Sequence, residues 1–223
     1  MGLLNLWNIL PSSVIHYSSD RFDNCNIMQL TIIIGYHKKD SFNHAGIVNT
    51  IKEVCVRHNI ICNIIDLYAD GFNPSSQPDN KDKIEKYQSI LLDSSHHVYV
   101  SPVWWFRCTS MLEGFFDQIF TPGFAYNFKQ ITKTYGIPVP KLGDKKVITY
   151  LTHGAPALPV YTIYLNSVWG RLQLGVFSFV YGWFRPKIRQ FFSVPFCSQA
   201  TRVKYLNTVQ SCLLYTSPSP RDS

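Results

Sequence analysis

The chain lacks most of the features that settle a protein's class at a glance. Its six cysteines include no Cys-x-x-Cys pair and no close grouping with histidine, which excludes a zinc finger and a thioredoxin-like redox pair. Reduced thiols in a cytoplasmic protein are the expectation. No run of basic residues is dense enough to track a nucleic-acid backbone, although the formal net charge is +7. Small knots at Lys38-Lys39, Lys145-Lys146 and Arg185/Lys187/Arg189 imply instead a mild field that favours anionic partners such as nucleotides. The apolar start, Met1 to Leu10, has neither the basic region nor the small-residue cleavage site of a signal peptide. Leu6 stands where a myristoylation signal needs Ser or Thr. The apolar stretch Val160 to Phe184 contains Asn166, Arg171 and Gln173, which are costly inside a bilayer. A buried amphipathic helix followed by a strand is expected there. Gly-x-Gly-x-x-Gly and Gly-Lys-Ser/Thr are both missing, so there is neither a Rossmann fingerprint nor a P-loop.

What is present suits one globular α/β domain: 223 residues, 46% hydrophobic and 15% aromatic, enough to bury a sizeable core. Two ends stand apart. Residues 1–27 show no clear periodicity, and Met28 directly precedes the first good strand, so 1–27 is an N-terminal extension of uncertain status. Residues 212–222 read as the in-frame translation of a transposase-type sequencing adapter. The domain is therefore expected over residues 28–211, with 212–223 a non-native tail.

Within that span, strand and helix patterns alternate. Gln29 to Gly35 is a β-branched run of the kind found in buried parallel strands. Phe42 to Arg57 has helical spacing behind Ser41 as N-cap. Further strands are expected at Ile60–Asp66, Val98–Ser101, Lys146–Thr152 and Lys187–Val194. Further helices are expected at Lys83–Leu92, Thr109–Phe120, through most of Tyr161–Tyr181, and at Ser198–Val209. Two long loops are expected at Leu67–Asp82 and Thr121–Leu142. Such alternation implies βαβ units and a five-stranded parallel sheet in the order 2-1-3-4-5, with ligands beyond the carboxyl ends of the strands where the order reverses.

Three loops meet there. Tyr36 to Asn43 leads to a helix N-terminus, where free N–H groups favour an anion, and His37, Ser41 and Asn43 add donors. Pro102-Val-Trp-Trp-Phe106 places three adjacent aromatics at the end of a buried strand, and these cannot all enter one core. An aromatic platform there suits a flat ring. Thr152-His-Gly-Ala155 lets backbone approach a ligand closely. Cys108 is expected to be structural rather than redox-active, and His44, His58, His96 and His97 to be surface or packing residues.

In order along the chain, His37…Ser41-Phe-Asn-His-Ala45, Asp66-Leu-Tyr-Ala69 with Phe72-Asn-Pro74, and Pro102-Val-Trp-Trp-Phe106 are followed by Leu112-Glu-Gly-Phe-Phe-Asp-Gln-Ile-Phe120 and Pro122-Gly-Phe-Ala-Tyr126. With these segments the chain resembles the flavodoxin-like NAD(P)H:quinone oxidoreductase family from about Leu30 to Gln210. The resemblance implies a flavodoxin-like three-layer α/β sandwich, a homodimer and a bound flavin. That flavin is FAD by likeness to longer relatives at Ser41-Phe-Asn43, with FMN as the alternative. It implies that His37, Phe42 and Asn43 hold the phosphate side. Pro102, Val103, Trp104, Trp105 and Phe106 would hold the isoalloxazine, and Thr152, His153, Gly154 and Ala155 its pyrimidine edge. Tyr126, Asn127 and Phe128 would line the pocket for nicotinamide and quinone, often across a dimer interface. The activity implied is a ping-pong hydride relay from NAD(P)H to a quinone, with Tyr161 or His153 donating a hydrogen bond or proton to the reduced ring. An azo- or nitro-reductase on the same fold, and a flavin-binding regulatory subunit of a membrane transporter, are the alternatives. The chain departs from the family at the third loop, usually Thr-Thr-Gly-Gly, and at Arg107, where many members have Gly.

Overall fold

The computed structural model describes residues 28–75, 80–183 and 185–214. The extension 1–27 and residues 215–223 of the expected tail lie outside the described residues. Five strands form one parallel sheet: β1 (Gln29–Ile34), β2 (Ile61–Asp66), β3 (His96–Pro102), β6 (Lys146–Thr152) and β7 (Lys187–Phe191), in the spatial order β2-β1-β3-β6-β7. This is the expected 2-1-3-4-5 order. The remaining strands, β4 (Tyr126–Thr132) and β5 (Tyr135–Pro140), form a separate antiparallel ribbon.

Strand alternation sends successive side chains to opposite faces, and both faces are covered. Ile32, Ile34, Val98, Val100, Ile148 and Tyr150 pack with Ile51 and Val54 of α1 (Asn49–Arg57). Ile33, Tyr99 and Leu151 pack on the other side. There they meet Leu91 of α2 (Lys81–Asp93) and Leu112, Phe115 and Phe116 of α3 (Ser110–Ile119). A π-wound turn, Phe42–Val48, precedes α1.

Two expectations are corrected. Thr121–Leu142 is not an irregular excursion. Its Pro138 and Pro140 sit opposite Phe128 and Tyr126 on the two-stranded ribbon, where an edge strand tolerates a missing N–H. Those prolines hid the strand signal. Tyr161–Tyr181 is mostly helical, as expected, but it is not the single amphipathic helix expected there. A short α4 (Ala157–Tyr161) stops, and Leu165 and Asn166 then take left-handed backbone conformations (φ 50° and 48°). Helix resumes as α5 (Ser167–Gly170), a π-wound stretch Arg171–Phe177 and α6 (Ser178–Val180). Among the described residues, no helix is long and apolar enough to cross a membrane. The last helix, α7 (Gln199–Leu214), runs past the expected end of the domain, and Leu213 is buried in the core.

The histidines of β3 pack inside. His97 donates from Nε2 to the Leu91 carbonyl at 2.9 Å and accepts at Nδ1 from the Tyr181 hydroxyl at 2.9 Å, and the Tyr99 hydroxyl lies 2.5 Å from that of Tyr181. Burial pulls the His97 pKa down to about 4, against a smaller upward pull from the Leu91 carbonyl. An unfolded histidine titrates near ~6.5, so protons bind the unfolded chain first. Stability is therefore complete above that value and falls as pH drops toward about 4, by about 1.4 kcal/mol per pH unit from this residue. Urea melts across that window should show the slope, and His97→Gln should flatten it.

Candidate functional site

The carboxyl ends of β1, β3 and β6 bring the three loops together, and side chains tie them to one another. Thr109 Oγ1 donates to the Gly35 carbonyl at 2.5 Å, linking loops one and two. Buried Asn43 donates to Thr152 Oγ1 at 3.0 Å, and that hydroxyl donates back to Asn43 Oδ1 at 3.1 Å, linking loops one and three. Part of the donor capacity expected of Asn43 is thus spent within the protein. Ser41 acts as the N-cap: its Oγ accepts the His44 N–H at 3.4 Å and donates to the Lys38 carbonyl at 2.6 Å.

Loop two is a two-residue turn. Trp104 and Arg107 exchange backbone hydrogen bonds at 2.9 and 3.1 Å, and Trp105 and Phe106 between them sit at φ 50° and 60°. Turns of this hand normally use Asn and Gly, because bulky residues resist positive φ. Here they display aromatic rings instead: Trp105 is 88% exposed, and Phe106 lies against Tyr164 with ring centroids 4.4 Å apart. From behind, Glu113 accepts the Cys108 N–H at 3.0 Å and pairs with Arg171. The Cys108 thiol is buried, and burial pushes its pKa up to about 12. It is held protonated, in keeping with a structural role.

Two cavities open among these loops. The larger, about 420 Å³, is lined by Tyr36, Ser41, Phe42, Asn43, Pro102, Val103, Trp104, Thr152, His153 and Gly154, and by Val194, Pro195 and Arg202. The smaller, about 140 Å³, shares Val103, His153 and Gly154 with it and adds Trp105, Phe106, Ala155 and Tyr164. Space is open where a Cβ on Gly154 would stand. At one end of the larger cavity lies Arg202, on the helix that packs Tyr205 against Phe42. Its Nη2 donates to the Val194 carbonyl at 3.3 Å, while its Nε is buried with no partner. An unpaired buried cationic donor at the loop-one end is the chemistry of an anion site.

Nine of the expected residues line the larger cavity or its neighbour through loops two and three, and Ser41, Phe42 and Asn43 line the larger one through loop one. His37 does not. It is exposed, with its ring edge on Tyr36 and Tyr68, and Tyr36 lines the cleft in its place. Tyr161 lines neither cavity. It is half-exposed against Phe192 at 5.4 Å, and the left-handed turn at Leu165 and Asn166 brings Tyr164 to the site instead. Tyr126 lines a third cavity with Phe116, Phe120 and Phe179, while Asn127 and Phe128 are exposed on the ribbon. Arg202 and Tyr164 line the two cavities and were not among the residues expected from the sequence. Arg202 sits in the first turn of the helix after the fifth strand, so the strand-end rule could have found it.

Residues 28–169 match the flavodoxin-like fold family, and the chain belongs to it. It is 28% identical over 109 residues to an uncharacterized NAD(P)H oxidoreductase of Escherichia coli, covering 44% of this chain and 55% of that one. The chain spans little more than half the length of the curated relatives it matches. Its fold is similar to that of an NAD(P)H:quinone oxidoreductase from Methanothermobacter marburgensis (TM-score 0.69, 15% identity, 83% of this chain and 97% of that one). It is also similar to that of an FMN-dependent NADH-azoreductase from Bacillus anthracis in complex with FMN (TM-score 0.64, 15% identity, 85% and 100%).

Proposed function

We propose that the protein is a flavin-dependent oxidoreductase that passes hydride from NAD(P)H to a quinone or similar acceptor. The observation that carries this reading is the 420 Å³ cleft, lined by Arg202 with its Nε unpaired and by Trp104, with Trp105 and Phe106 of the same turn on the adjoining smaller cavity. These residues fit a flavin phosphate and ring. Arg202 and the loop-one N–H groups would hold the phosphate, Pro102 to Phe106 the ring, and Thr152 to Ala155 its polar edge. When bound, the flavin supplies the centre that takes and gives hydride. The chain's part is to bind and orient it, and to keep water from the ring with Phe106, Val160 and Tyr164.

FMN is the cofactor proposed. The resemblance leans toward FAD, but FMN is the flavin named for the azoreductase structure that shares this fold. Azo compounds are the second acceptor class, on the same neighbour. Tyr164 replaces Tyr161 as the tyrosine at the ring pocket, with His153 beside it. The exposed ribbon carrying Tyr126, Asn127 and Phe128 supports a homodimer in which each ribbon closes the partner's cleft.

Mass spectrometry of the released cofactor, with steady-state NAD(P)H oxidation against benzoquinone and an azo dye, tests the reading. FMN is expected, with parallel double-reciprocal lines for NAD(P)H and acceptor. A protein that binds no flavin and oxidises no NAD(P)H overturns it.

A further inference from the structure

His153 is the one titratable side chain common to both cavities, and its surroundings determine which ring nitrogen is bare. The imidazole is buried, with Nε2 2.9 Å from Oε1 of Gln190 on β7. An amide oxygen only accepts, so Nε2 holds the proton. The ring lies on Phe192, centroids 4.8 Å apart and planes within 23°. Its backbone is pinned on both sides: the His153 N–H donates to the Phe191 carbonyl at 2.7 Å, and its carbonyl accepts the Val194 N–H at 2.9 Å. A ring flip would place a carbon against Gln190 and lose the bond.

Burial also lowers the His153 pKa, offset in part by the bond to Gln190, so the imidazole is neutral at neutral pH. A neutral imidazole with its proton on Nε2 has a lone pair on Nδ1. That nitrogen has no hydrogen-bond partner among the described residues. It is an open acceptor on a residue that lines both cavities.

We propose that Gln190 is a positioning residue that locks His153 as its Nε2–H tautomer, so that Nδ1 accepts the ring imide N–H of a flavin bound in the larger cleft. This rests on the flavin reading above. An oxidised isoalloxazine has one ring N–H, between two carbonyls. A bare nitrogen selects that N–H, whereas an N–H at the same place would select a carbonyl. The family's usual Thr at this position can do either, because a hydroxyl both donates and accepts. The imidazole, with Gln190 behind it, does only one.

Two measurements test this together. Nitrogen-15 NMR of the flavin-free protein reads the tautomer, with the His153 signals assigned by their loss in His153→Leu. Titration with FMN and with its N3-methyl derivative, which lacks the imide N–H, reads the contact. The Nε2–H tautomer is expected in the wild type, and a mixture in Gln190→Leu. Wild type should prefer FMN over the methylated flavin by about tenfold. Gln190→Leu should shrink that preference and His153→Leu abolish it. A purely structural pair would leave the ratio of the two flavins unchanged. An Nδ1–H tautomer, or equal binding of both flavins by wild type, overturns the proposal. Binding of neither flavin overturns the reading beneath it, and the tautomer, measured without flavin, separates the two failures. Should His153→Leu not fold, the wild-type tautomer and flavin ratio decide the matter alone.

Discussion

Arg202→Met weakens FMN binding by about 50-fold and leaves riboflavin binding within about twofold; that is the expected result of fluorescence titration with the two ligands. A charge-assisted hydrogen bond contributes ~1.5–3 kcal/mol, and about 1.4 kcal/mol is tenfold in affinity. Riboflavin has the same ring and no phosphate, so the pair isolates what Arg202 touches. Methionine keeps much of the stem that packs near Val194 and Pro195. Equal losses for both ligands would mean that Arg202 shapes the cleft rather than binding an anion. No loss for either would place the phosphate elsewhere.

The second large effect concerns the fold. Gly114 lies inside α3, and a Cβ there would stand 2.6 Å from the Cα, Cβ and carbonyl oxygen of Pro74. Two opposing contributions decide the outcome of Gly114→Ala. Alanine favours a helix over glycine by ~1 kcal/mol. Overpacking against fixed backbone costs ~1–3 kcal/mol and occasionally more. The clash wins here because neither side can yield. The Gly114 helix face is buried, and Pro74 follows Asn73, whose carbonyl accepts from Gln118 Nε2 at 2.9 Å. A net loss of about 2 kcal/mol lowers the melting temperature by roughly 4–8 °C. An unchanged or higher melting temperature would show that the Pro74 segment moves aside.

Both residues illustrate how far the sequence was legible. Runs such as Gln29–Ile34 and Lys146–Thr152 announced their strands because β-branched apolar residues in a fully buried strand have few other uses. The strand order then pointed to three loops, and the cleft forms among them. Contacts between elements distant in sequence were not legible. Arg202 reaches the site only because α7 packs on the turn that begins at Phe42, and Gln190 meets His153 only through the register that pairs Leu151 with Gln190. Tyr161 and Tyr164 are three residues apart, and a left-handed turn that no local pattern marks decides between them. His37 was drawn in by resemblance, yet its ring turns outward to Tyr68.

The Trp105-Phe106 turn bears on how this protein would respond to selection. Both residues hold a backbone shape that Asn and Gly adopt at lower cost. Selection for heat tolerance alone would drift toward those smaller residues, because nothing in the folded core depends on the two exposed rings. Their survival in a lineage is therefore a record of use. Copies of the gene released from their task should lose this pair early, while the strand and helix beside it stay intact.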